Sequence, residues 1–512
     1  MNYADAGKRK TLQEFYAFEP SADGIRAFTE KNKYDSLNRN TLVDELQKQN
    51  ADLKISEATK QNISLLKDKN TFTITTGHQL CLATGPSYFI YKIISAINLC
   101  ESLDKQFPDK KFVPVYWMAS EDHDAEEINH LNLFNKRITW NTDQKGRVGD
   151  FSLVNAHTFL SEIKQALGEN EQAEKIFQTI KTAYSKNDLA DATRFLVNEL
   201  FGKYGLIILD GNSKALKKEF ITEIKNDVFQ NTNFKTVNTS SEKLKQTGYD
   251  SQVSPREINV FYADKNLRER IVLENNTYKV LNTDLSFSKE ELEKLIETET
   301  DKFSPNVVLR PMYQQKILPN AAYVGGPGEL AYWLQYKAMF EEVKIAFPVL
   351  IPRNFVFYID KSLQQKIQKL NLKTEALFGE KDKLVKNYVL EQQPFSLEDE
   401  KDMLKKLFAD MRISVAQVDK TLEAATEAEM QKALKGIEAL EQKAIRSIKQ
   451  KSDQAVGQIE TIYSRLFPGN LPQERVENFM RFWLSNPDFL EDVKNNSRSF
   501  FDEPSMLVLN EA

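Results

Sequence analysis

The stretch from residue 72 to residue 130 constrains the fold most strongly, because it holds two apolar segments of strand length separated by a helical pattern. Residues 72–76 and 112–118 predict buried strands, and the helix between them begins at Thr84-Gly85-Pro86. Proline suits the first turn of a helix, where its missing N–H would have no partner anyway. Such a βαβ unit makes its two strands parallel and brings their carboxyl ends to one edge of the sheet.

Polar side chains follow both strands at that edge. His78 and Gln79 come directly after the first strand, and the run Glu121-Asp122-His123-Asp124 comes after the second. Open α/β sheets bind ligands outside the carboxyl ends of their strands. The sequence therefore predicts a ligand site here, with the helix entrance at Gly85-Pro86 as a place for a phosphate or carboxylate.

The acidic run is compatible with several kinds of chemistry. Carboxylates beside an imidazole can bind a substrate ammonium, hold Mg²⁺, or take a proton from an attacking amine. A structural alternative is that Ser120 caps a helix and the acids complement its dipole. Zinc is disfavoured, because it prefers three or four well-spaced His or Cys ligands.

The later apolar segments predict an α/β fold, a Rossmann-like, doubly wound parallel sheet. After a helical arm in residues 1–70 and the first βαβ unit, strands are expected at 205–211, 321–324 and 347–351. Gly325, Gly326 and Gly328 surround Pro327 after the fourth strand, which suggests close approach of the backbone to a ligand. A helix is expected from there to residue 343, with Glu329 in its first turn facing the same crevice as the acidic run.

Two inserted segments interrupt this core, which is expected to span residues 1–360. The insertions cover about residues 131–200 and 212–310. The first is expected to form a hairpin from residues 137–140 and 147–153, and the second a β-meander over residues 258–281. Ser288 and Glu291 then predict a capping box.

The pattern changes after residue 360, where glycine becomes rare and Lys, Glu and Gln increase. Apolar or small residues recur at steps of three and four through 404–425 and again through 430–466, which is typical of a coiled coil. Two such segments predict an antiparallel α-helical coiled-coil domain over residues 361–466, whose exposed seam could form a homodimer. Residues 467–512 are expected to return to the core as a C-terminal tail.

Composition narrows the classes of ligand and compartment. With 69 basic and 74 acidic residues, the net charge of −5 gives no basic field for nucleic acid and favours small or zwitterionic ligands. The two cysteines, Cys81 and Cys100, are few for an oxidising compartment, so a cytoplasmic location is expected. No apolar run of about 18 residues predicts a membrane span, and the first ten residues lack the apolar region of a signal peptide.

Several stretches together resemble one family. They are TTGHQLCLATGPSYFIYKII, VPVYWMASEDHDAEEINH, FSPNVVLRPMYQ and LPNAAYVGGPGELAYWLQ, with LPQERVENF near the end as weaker support. Over nearly its whole length the chain resembles the bacillithiol biosynthesis cysteine-adding enzymes, the BshC family of cysteine ligases. The resemblance implies a ligase that joins the carboxyl group of cysteine to the amine of glucosaminyl malate, on a Rossmann-like core with a coiled coil that supports dimerisation.

The resemblance also implies where substrates would lie. Amide formation from a free carboxylate is uphill in water, so activation by ATP, with Mg²⁺ as a possible partner, is the hypothesis. The residues expected to bind ATP are Thr76, Gly77, His78, Gln79, Gly85 and Tyr88. The expected catalytic residues are Glu121, Asp122, His123 and Asp124, with His123 or Asp122 as the base. The expected substrate-binding residues are Asn129, His130, Tyr323, Gly325, Gly326, Gly328, Glu329 and Trp333.

Two features keep alternatives open. The family often has glutamine at the position of His78. An acid–base role is therefore less favoured there than a nucleotide contact, which either side chain could make. A purely structural histidine is the other possibility. The chain also lacks the K-M-S-K-S signature of class I synthetase-like ligases. The alternatives are another nucleotide-dependent adenylyl or phosphoryl transferase on the same core, and a non-catalytic coiled-coil scaffold that senses nucleotide.

Overall fold

A computed structural model describes residues 10–34, 37–497 and 506–511. The chain forms two compact units. The first contains the residues up to Tyr358 together with those from Glu474 onward, and the second spans Ile359–Gln473. The strands, in chain order, are β1 (Thr71–His78), β2 (Lys111–Met118), β3 (His130–Leu133), β4 (Lys136–Thr139), β5 (Ile207–Asp210), β6 (Val260–Asp264), β7 (Leu267–Glu274), β8 (Thr277–Val280), β9 (Ser286–Phe287), β10 (Phe303–Pro305), β11 (Asn320–Gly325), β12 (Val349–Pro352), β13 (Phe355–Ile359) and β14 (Met506–Asn510).

A five-stranded parallel sheet forms the centre of the first unit, in the order β12-β11-β1-β2-β5. The chain leaves β1 in one direction through β2 and β5, and later fills the other side with β11 and β12. This confirms the predicted Rossmann-like parallel sheet. From β1, the chain adds β2 and β5 on one side and β11 and β12 on the other, so the strand order reverses between β1 and β11. Open α/β sheets place their ligand crevice at such a reversal.

Alternate side chains of β2 show that the sheet is covered on both faces. Val113, Val115 and Trp117 join one buried apolar cluster, whereas Tyr116 and Met118 join another. A strand buried on both faces reads as a continuous apolar run, which is why the sequence reveals it so clearly.

Helices pack around this sheet and in the insertions. Before the second unit they are α1 (Ala22–Lys31), α2 (Arg39–Gln49), α3 (Glu57–Leu65), α4 (Tyr88–Gln106), α5 (Ala125–Ile128), α6 (His157–Leu167), α7 (Glu171–Ala183), α8 (Leu189–Phe201), α9 (Lys214–Lys218), α10 (Ile221–Gln230), α11 (Thr232–Gln246), α12 (Lys289–Thr298), α13 (Arg310–Ile317), α14 (Pro327–Trp333) and α15 (Lys337–Glu342). The prediction of one continuous helix over residues 327–343 is therefore wrong, because residues 334–336 separate α14 from α15. Around the break, Trp333 packs near Tyr323, with ring centroids 4.6 Å apart, and the Tyr336 hydroxyl donates to the Val307 carbonyl at 3.2 Å.

The first insertion contains a hairpin, but not the predicted one. The paired strands are β3 and β4, and residues 148–150 form a short 3₁₀ turn instead of a strand. Phe134 and Asn135 connect β3 to β4 with φ of 53° and 62°, as a type I′ turn requires. Gly146, at φ 90°, serves a different purpose: a Cβ there would lie 2.7 Å from the Leu267 nitrogen, so glycine allows close approach to β7.

The second insertion confirms the predicted β-meander. Its antiparallel sheet has the order β10-β6-β7-β8-β9, in which β6, β7 and β8 are consecutive. The predicted capping box is present as well, because Ser288 accepts from the Glu291 nitrogen and Glu291 accepts from the Ser288 nitrogen. This sheet supplies side chains to the site described below.

The second unit is helical and contains the predicted antiparallel pair. Its helices are α16 (Lys361–Lys369), α17 (Lys381–Gln392), α18 (Glu398–Ala416), α19 (Leu422–Lys451) and α20 (Asp453–Leu466). Ion pairs Lys401–Glu441 at 2.8 Å and Arg412–Glu423 at 3.3 Å show that α18 and α19 run antiparallel. The turn lies at residues 417–421 rather than between 425 and 430, and within it the Asp419 carboxylate accepts from the Thr421 backbone nitrogen and hydroxyl, each at 2.8 Å.

The segment after Glu474 belongs to the first unit. It contains α21 (Met480–Ser485) and α22 (Phe489–Asn496), and β14 pairs with β13. Tyr358 packs against Phe482 and Phe489, with ring centroids 5.3 Å and 5.0 Å away. The residues that follow the coiled coil therefore complete the core that the first 358 residues begin.

Candidate active site

A cavity of about 630 Å³ opens at the carboxyl edge of the parallel sheet, within the first unit. The ends of β1, β2 and β11, the β-meander insertion and the segment after Glu474 form its wall. Of the residues predicted from sequence, those in the wall are Gly77, His78, Gln79, Tyr88, Glu121, Asp122, His123, Tyr323, Gly326, Gly328 and Glu329. The topology thus brings together two motifs that lie some 200 positions apart.

Other predicted residues do not line the cavity. They are Thr76, Gly85, Asp124, Asn129, His130, Gly325 and Trp333. Thr76 is buried in the sheet and donates to the Val324 carbonyl at 2.8 Å. Asp124 caps α5 by accepting from the Glu127 nitrogen at 3.2 Å, and Trp333 is fully buried in the core.

The helix entrance at Gly85-Pro86 does not face the cavity, so the anion site expected there is not present in this arrangement. The segment after the coiled coil covers it instead. The Ser87 nitrogen donates to the Glu477 carbonyl at 2.8 Å, and the Asn478 amide donates to the carbonyls of Ala83 and Gly85 at 2.8 Å and 2.6 Å. These contacts, made from nearly 400 residues away, occupy the Ser87 N–H, which an anion could have used, and cover the neighbouring carbonyls.

His78 lies in the cavity wall as a neutral imidazole. Its Nδ1 accepts from the Gln79 nitrogen at 2.9 Å, so the ring proton is on Nε2, which is buried without a partner among the described residues. Burial, followed by the charge of Lys92, lowers the pKa of His78 to about 3. His78 is therefore suited to donate one hydrogen bond to a bound ligand.

Acid should weaken the first unit through His78. The unfolded pKa is near 6.5 and the folded pKa about 3, so the unfolded chain binds the proton first, and stability present above pH 6.5 is lost as the pH falls toward 3. At pH 5 we expect the free energy of unfolding of the first unit to be about 2 kcal/mol lower than at neutral pH. Urea unfolding at pH 7.5 and 5.0, followed by tryptophan fluorescence, measures it.

The matched variants are His78→Gln and His157→Gln. His157 is exposed on α6 and serves as the control. Only His78→Gln is expected to reduce the difference between the free energies of unfolding measured at pH 7.5 and 5.0. An equal pH dependence in the wild type and His78→Gln would show that His78 does not stay neutral in the folded chain.

The carboxylates of the acidic run are already bound by neighbours. The Gln79 amide donates to Asp122 at 2.8 Å and to Glu127 at 2.6 Å, and the His123 nitrogen donates to Asp122 at 2.7 Å. Burial alone would raise the pKa of Asp122, but these hydrogen bonds and the charge of Arg268 hold it well below its usual range. Asp122 is therefore a permanent negative charge in the wall.

Glu121 and Glu329 each bind a buried lysine. Glu121 accepts from Lys217 at 2.5 Å, and Lys217 is 1% exposed. Glu329 accepts from Lys92 at 2.7 Å, from the Tyr323 hydroxyl at 2.8 Å and from the Gly326 nitrogen at 2.9 Å, while Lys92 also donates to the Gly77 carbonyl. Glu329 thus ties the Gly-rich loop to the end of β1.

The sequence reasoning missed the cationic residues of the wall. They are Lys92, Arg256, Arg268, Arg270, Arg310, Arg353 and Arg475. The arginines are scattered over 220 positions without a local motif, and only Arg310 in FSPNVVLRPMYQ and Arg475 in LPQERVENF lie in stretches that carry the family resemblance. Against these seven cations the wall has three carboxylates, Glu121, Asp122 and Glu329. The cavity therefore suits an anionic ligand.

Neither a metal-binding cluster nor a membrane-spanning helix occurs in the part of the chain that the structure describes. Within residues 10–34, 37–497 and 506–511, no group of three or more His, Cys, Asp and Glu side chains could hold a metal ion. Across the same described ranges, the helices lack the length and apolar character needed to cross a bilayer.

Comparisons with known proteins match the whole chain to one family. Residues 2–354 match the domain described as Bacillithiol biosynthesis BshC, N-terminal Rossmann-like domain, and residues 356–508 match the BshC C-terminal coiled-coil domain. A protein of Flavobacterium psychrophilum named "Putative cysteine ligase BshC" is 45% identical, over 94% of this chain and 92% of its own length. Proteins of the same name from Flavobacterium johnsoniae and Bacillus cereus B4264 are 42% and 29% identical, over 94% and 96% of this chain and 92% and 95% of their own lengths.

Proposed function

The chain belongs to the bacillithiol biosynthesis BshC family, and we propose that it joins the carboxyl group of cysteine to the amine of glucosaminyl malate to form bacillithiol. Its relatives carry the name of cysteine ligases, which supports a ligase on this core. The reaction forms one amide bond and completes the biosynthesis of the thiol. The cytoplasm is the expected compartment, and both cysteines are buried free thiols, as a reducing compartment allows.

The charge of the cavity is the observation that carries this proposal. The wall contains seven cationic side chains and three carboxylates. Lys92 is paired with Glu329, Arg353 with Glu474, and Glu121 with Lys217, so five arginines remain against one carboxylate, Asp122. Cysteine has a carboxylate and the malate group has two, so the substrates bring negative charges that match the surplus. Charge-assisted hydrogen bonds from guanidinium groups to carboxylates are among the strongest that a protein makes.

ATP is proposed as the source of energy, because its phosphoanhydride bonds can activate the cysteine carboxylate. The residues present fit an anionic nucleotide: the Nε2–H of His78, which has no partner among the described residues, and the guanidinium group of Arg475 border one end of the cavity, beside the Arg353 guanidinium that Glu474 pairs. Both guanidiniums lie over the Tyr88 ring, 5.3 Å and 6.0 Å from its centroid. The described residues do not fit a protein-held metal, so no step is assigned to Mg²⁺.

Asp122 is proposed to bind an ammonium group of the substrates. It is ionised and 28% exposed, with Gln79 fixing one oxygen and the His123 backbone the other. A carboxylate with a lowered pKa is a weak base, so holding a cation suits it better than taking a proton. Of the three chemical roles that the acidic run allowed, this assigns the binding of an ammonium group to Asp122.

Mass spectrometry of the products tests the proposed function. Purified protein is incubated with cysteine, glucosaminyl malate, ATP and Mg²⁺, and bacillithiol is expected only when all organic components are present. Omitting ATP tests the energy source separately. Absence of product, together with ATP–pyrophosphate exchange that depends on another acid, would favour a different adenylyl transferase and overturn the cysteine assignment.

A homodimer through the coiled coil is also proposed. On α18, Met403, Leu407 and Met411 are spaced by four residues and are 62%, 56% and 45% exposed. A sustained apolar stripe on a helix is a surface that a second helix covers.

Light scattering is expected to give twice the chain mass of 59.0 kDa at micromolar concentration. The double variant Leu407→Lys, Met411→Lys should have the monomer mass, because it places charge in the stripe. Val154→Lys, at an 83% exposed position of the first unit, is the control and should stay dimeric. A monomeric wild type would contradict the dimer.

A further inference from the structure

Arg268 reaches the cavity from β7 of the β-meander and contacts His123. Its Nη1 lies 2.7 Å from Nδ1 of His123. Its Nε donates to the Ser304 hydroxyl at 2.9 Å, its Nη2 donates to the Pro305 carbonyl at 3.2 Å, and its guanidinium stacks 4.2 Å from the centroid of Phe261. Arg268 is only 8% exposed, so its guanidinium is held in one orientation.

This contact determines which nitrogen of His123 carries the proton. A guanidinium only donates hydrogen bonds, so Nδ1 must accept and the proton of the neutral ring is on Nε2. The charged groups that face the ring are Arg268 from the β-meander and Asp122 from its own loop, 3.6 Å from Nδ1. A neutral imidazole takes up a proton only at its unprotonated nitrogen, and here Arg268 occupies that nitrogen.

His123 is therefore not arranged as a base, although the sequence had suggested that role. Its Nε2–H has no partner among the described residues, and the ring, 46% exposed, lies in the cavity wall. A fixed donor in a cavity of this kind stabilises negative charge that develops on an oxygen atom.

We propose, on the basis of the cysteine ligase function, that His123 donates its Nε2–H to the carbonyl oxygen of the activated cysteine, and that Arg268 is the residue that positions it. The amine nitrogen of glucosaminyl malate forms a bond to the carbonyl carbon, and the π electrons of the C=O bond move to the oxygen that His123 binds. A lone pair on that oxygen then re-forms the C=O bond as the C–O bond to the leaving phosphate breaks, with the electron pair of the broken bond going to the phosphate oxygen. The proton of the amine passes to water.

Two substitutions at His123 separate a donor from a base. Glutamine retains an N–H donor but cannot act as a base, whereas alanine removes both functions. We expect His123→Ala to lower kcat by about 10²- to 10³-fold, the loss seen when an oxyanion donor is removed, and His123→Gln to stay within about tenfold of the wild type. Equal losses in the two variants would overturn the donor role, as would an unchanged kcat in His123→Ala.

The tautomer is measured independently of turnover. Nitrogen-15 NMR of the histidine-labelled free protein, in which only four imidazoles contribute, is expected to show His123 with its proton on Nε2. In Arg268→Met, which keeps an unbranched side chain but has no donor, His123 should populate both tautomers. A proton on Nδ1 in the wild type would overturn the inference.

These readouts distinguish failure of the inference from failure of the proposed function. If the wild type makes no bacillithiol, the ligase assignment fails and the NMR spectra still decide the state of His123. If the wild type is active and the spectra show the expected tautomer, comparison of the glutamine and alanine variants decides what that tautomer does.

Discussion

Glu474→Ala is expected to destabilise the first unit by about 3–5 kcal/mol, the cost of leaving one member of a buried ion pair without its partner. Glu474 and Arg353 have side chains only 2% and 1% exposed. Two hydrogen bonds join them, at 2.8 Å and 2.5 Å, and the Val356 nitrogen also donates to Glu474 at 3.1 Å. Without Glu474, the Arg353 guanidinium would stay buried beside Tyr88 with its charge uncompensated.

Urea unfolding followed by tryptophan fluorescence measures this loss selectively. All four tryptophans, Trp117, Trp140, Trp333 and Trp483, belong to the first unit, so the helical unit does not contribute to the signal. The control is Glu30→Ala, which removes the exposed Arg26–Glu30 pair and should cost less than about 0.5 kcal/mol.

A double variant tests the physical cause. Arg353→Met combined with Glu474→Leu removes both charges and replaces them with apolar groups, so it should be more stable than Glu474→Ala alone. If Glu474→Ala lowers the free energy of unfolding no more than Glu30→Ala does, the Arg353–Glu474 pair contributes little to stability. If the double variant is less stable than the single one, an unpaired charge is not the cause.

The parallel sheet could be predicted because its strands are buried on both faces. Residues 112–118 are a continuous apolar run, and β2 begins and ends within a residue of that prediction. The rule that βαβ strands are parallel then places His78 and Asp122 at one edge without further information. Local pattern and general topology were sufficient for this part.

The hairpin of the first insertion could not be predicted, because its turn has an unusual residue at a positive φ. Asparagine is common there, but Phe134 is not, so no turn signal marks the position. Gly146 provides a strong signal for a turn, yet it is required by contact with β7, more than 100 residues later in the chain. A local pattern cannot separate these two reasons for a glycine.

The same limit explains the missed half of the site. Arg256, Arg310 and Arg475 reach the cavity only after the insertion, α13 and the last segment have packed around the sheet. The coverage of the helix entrance by Asn478 is equally non-local. The sequence reveals the residues that follow a strand, whereas it does not reveal which distant residues complete the wall.

Asp122→Asn is expected to lower kcat/KM by at least about 30-fold, because loss of a partly desolvated charge partner costs about 2–5 kcal/mol. Asp122 is the carboxylate of the wall that is not paired with a lysine, and asparagine keeps its shape without its charge. Because the pKa of Asp122 is held well below its usual range, the wild type should show no loss of activity from this group between about pH 5 and 8.

The neighbouring Asp124 provides a matched comparison within the same run. Asp124 caps α5 and lies outside the cavity wall, and asparagine caps helices about as well as aspartate. We therefore expect Asp124→Asn to change kcat/KM by less than about threefold, a difference of well under 1 kcal/mol. Thermal melts first confirm that Asp122→Asn and Asp124→Asn are both folded. Steady-state kinetics with both substrates then compares their kcat/KM values. Similar losses would mean that the run acts as a whole through its local structure, and a smaller loss in Asp122→Asn would contradict its proposed contact with the substrate ammonium.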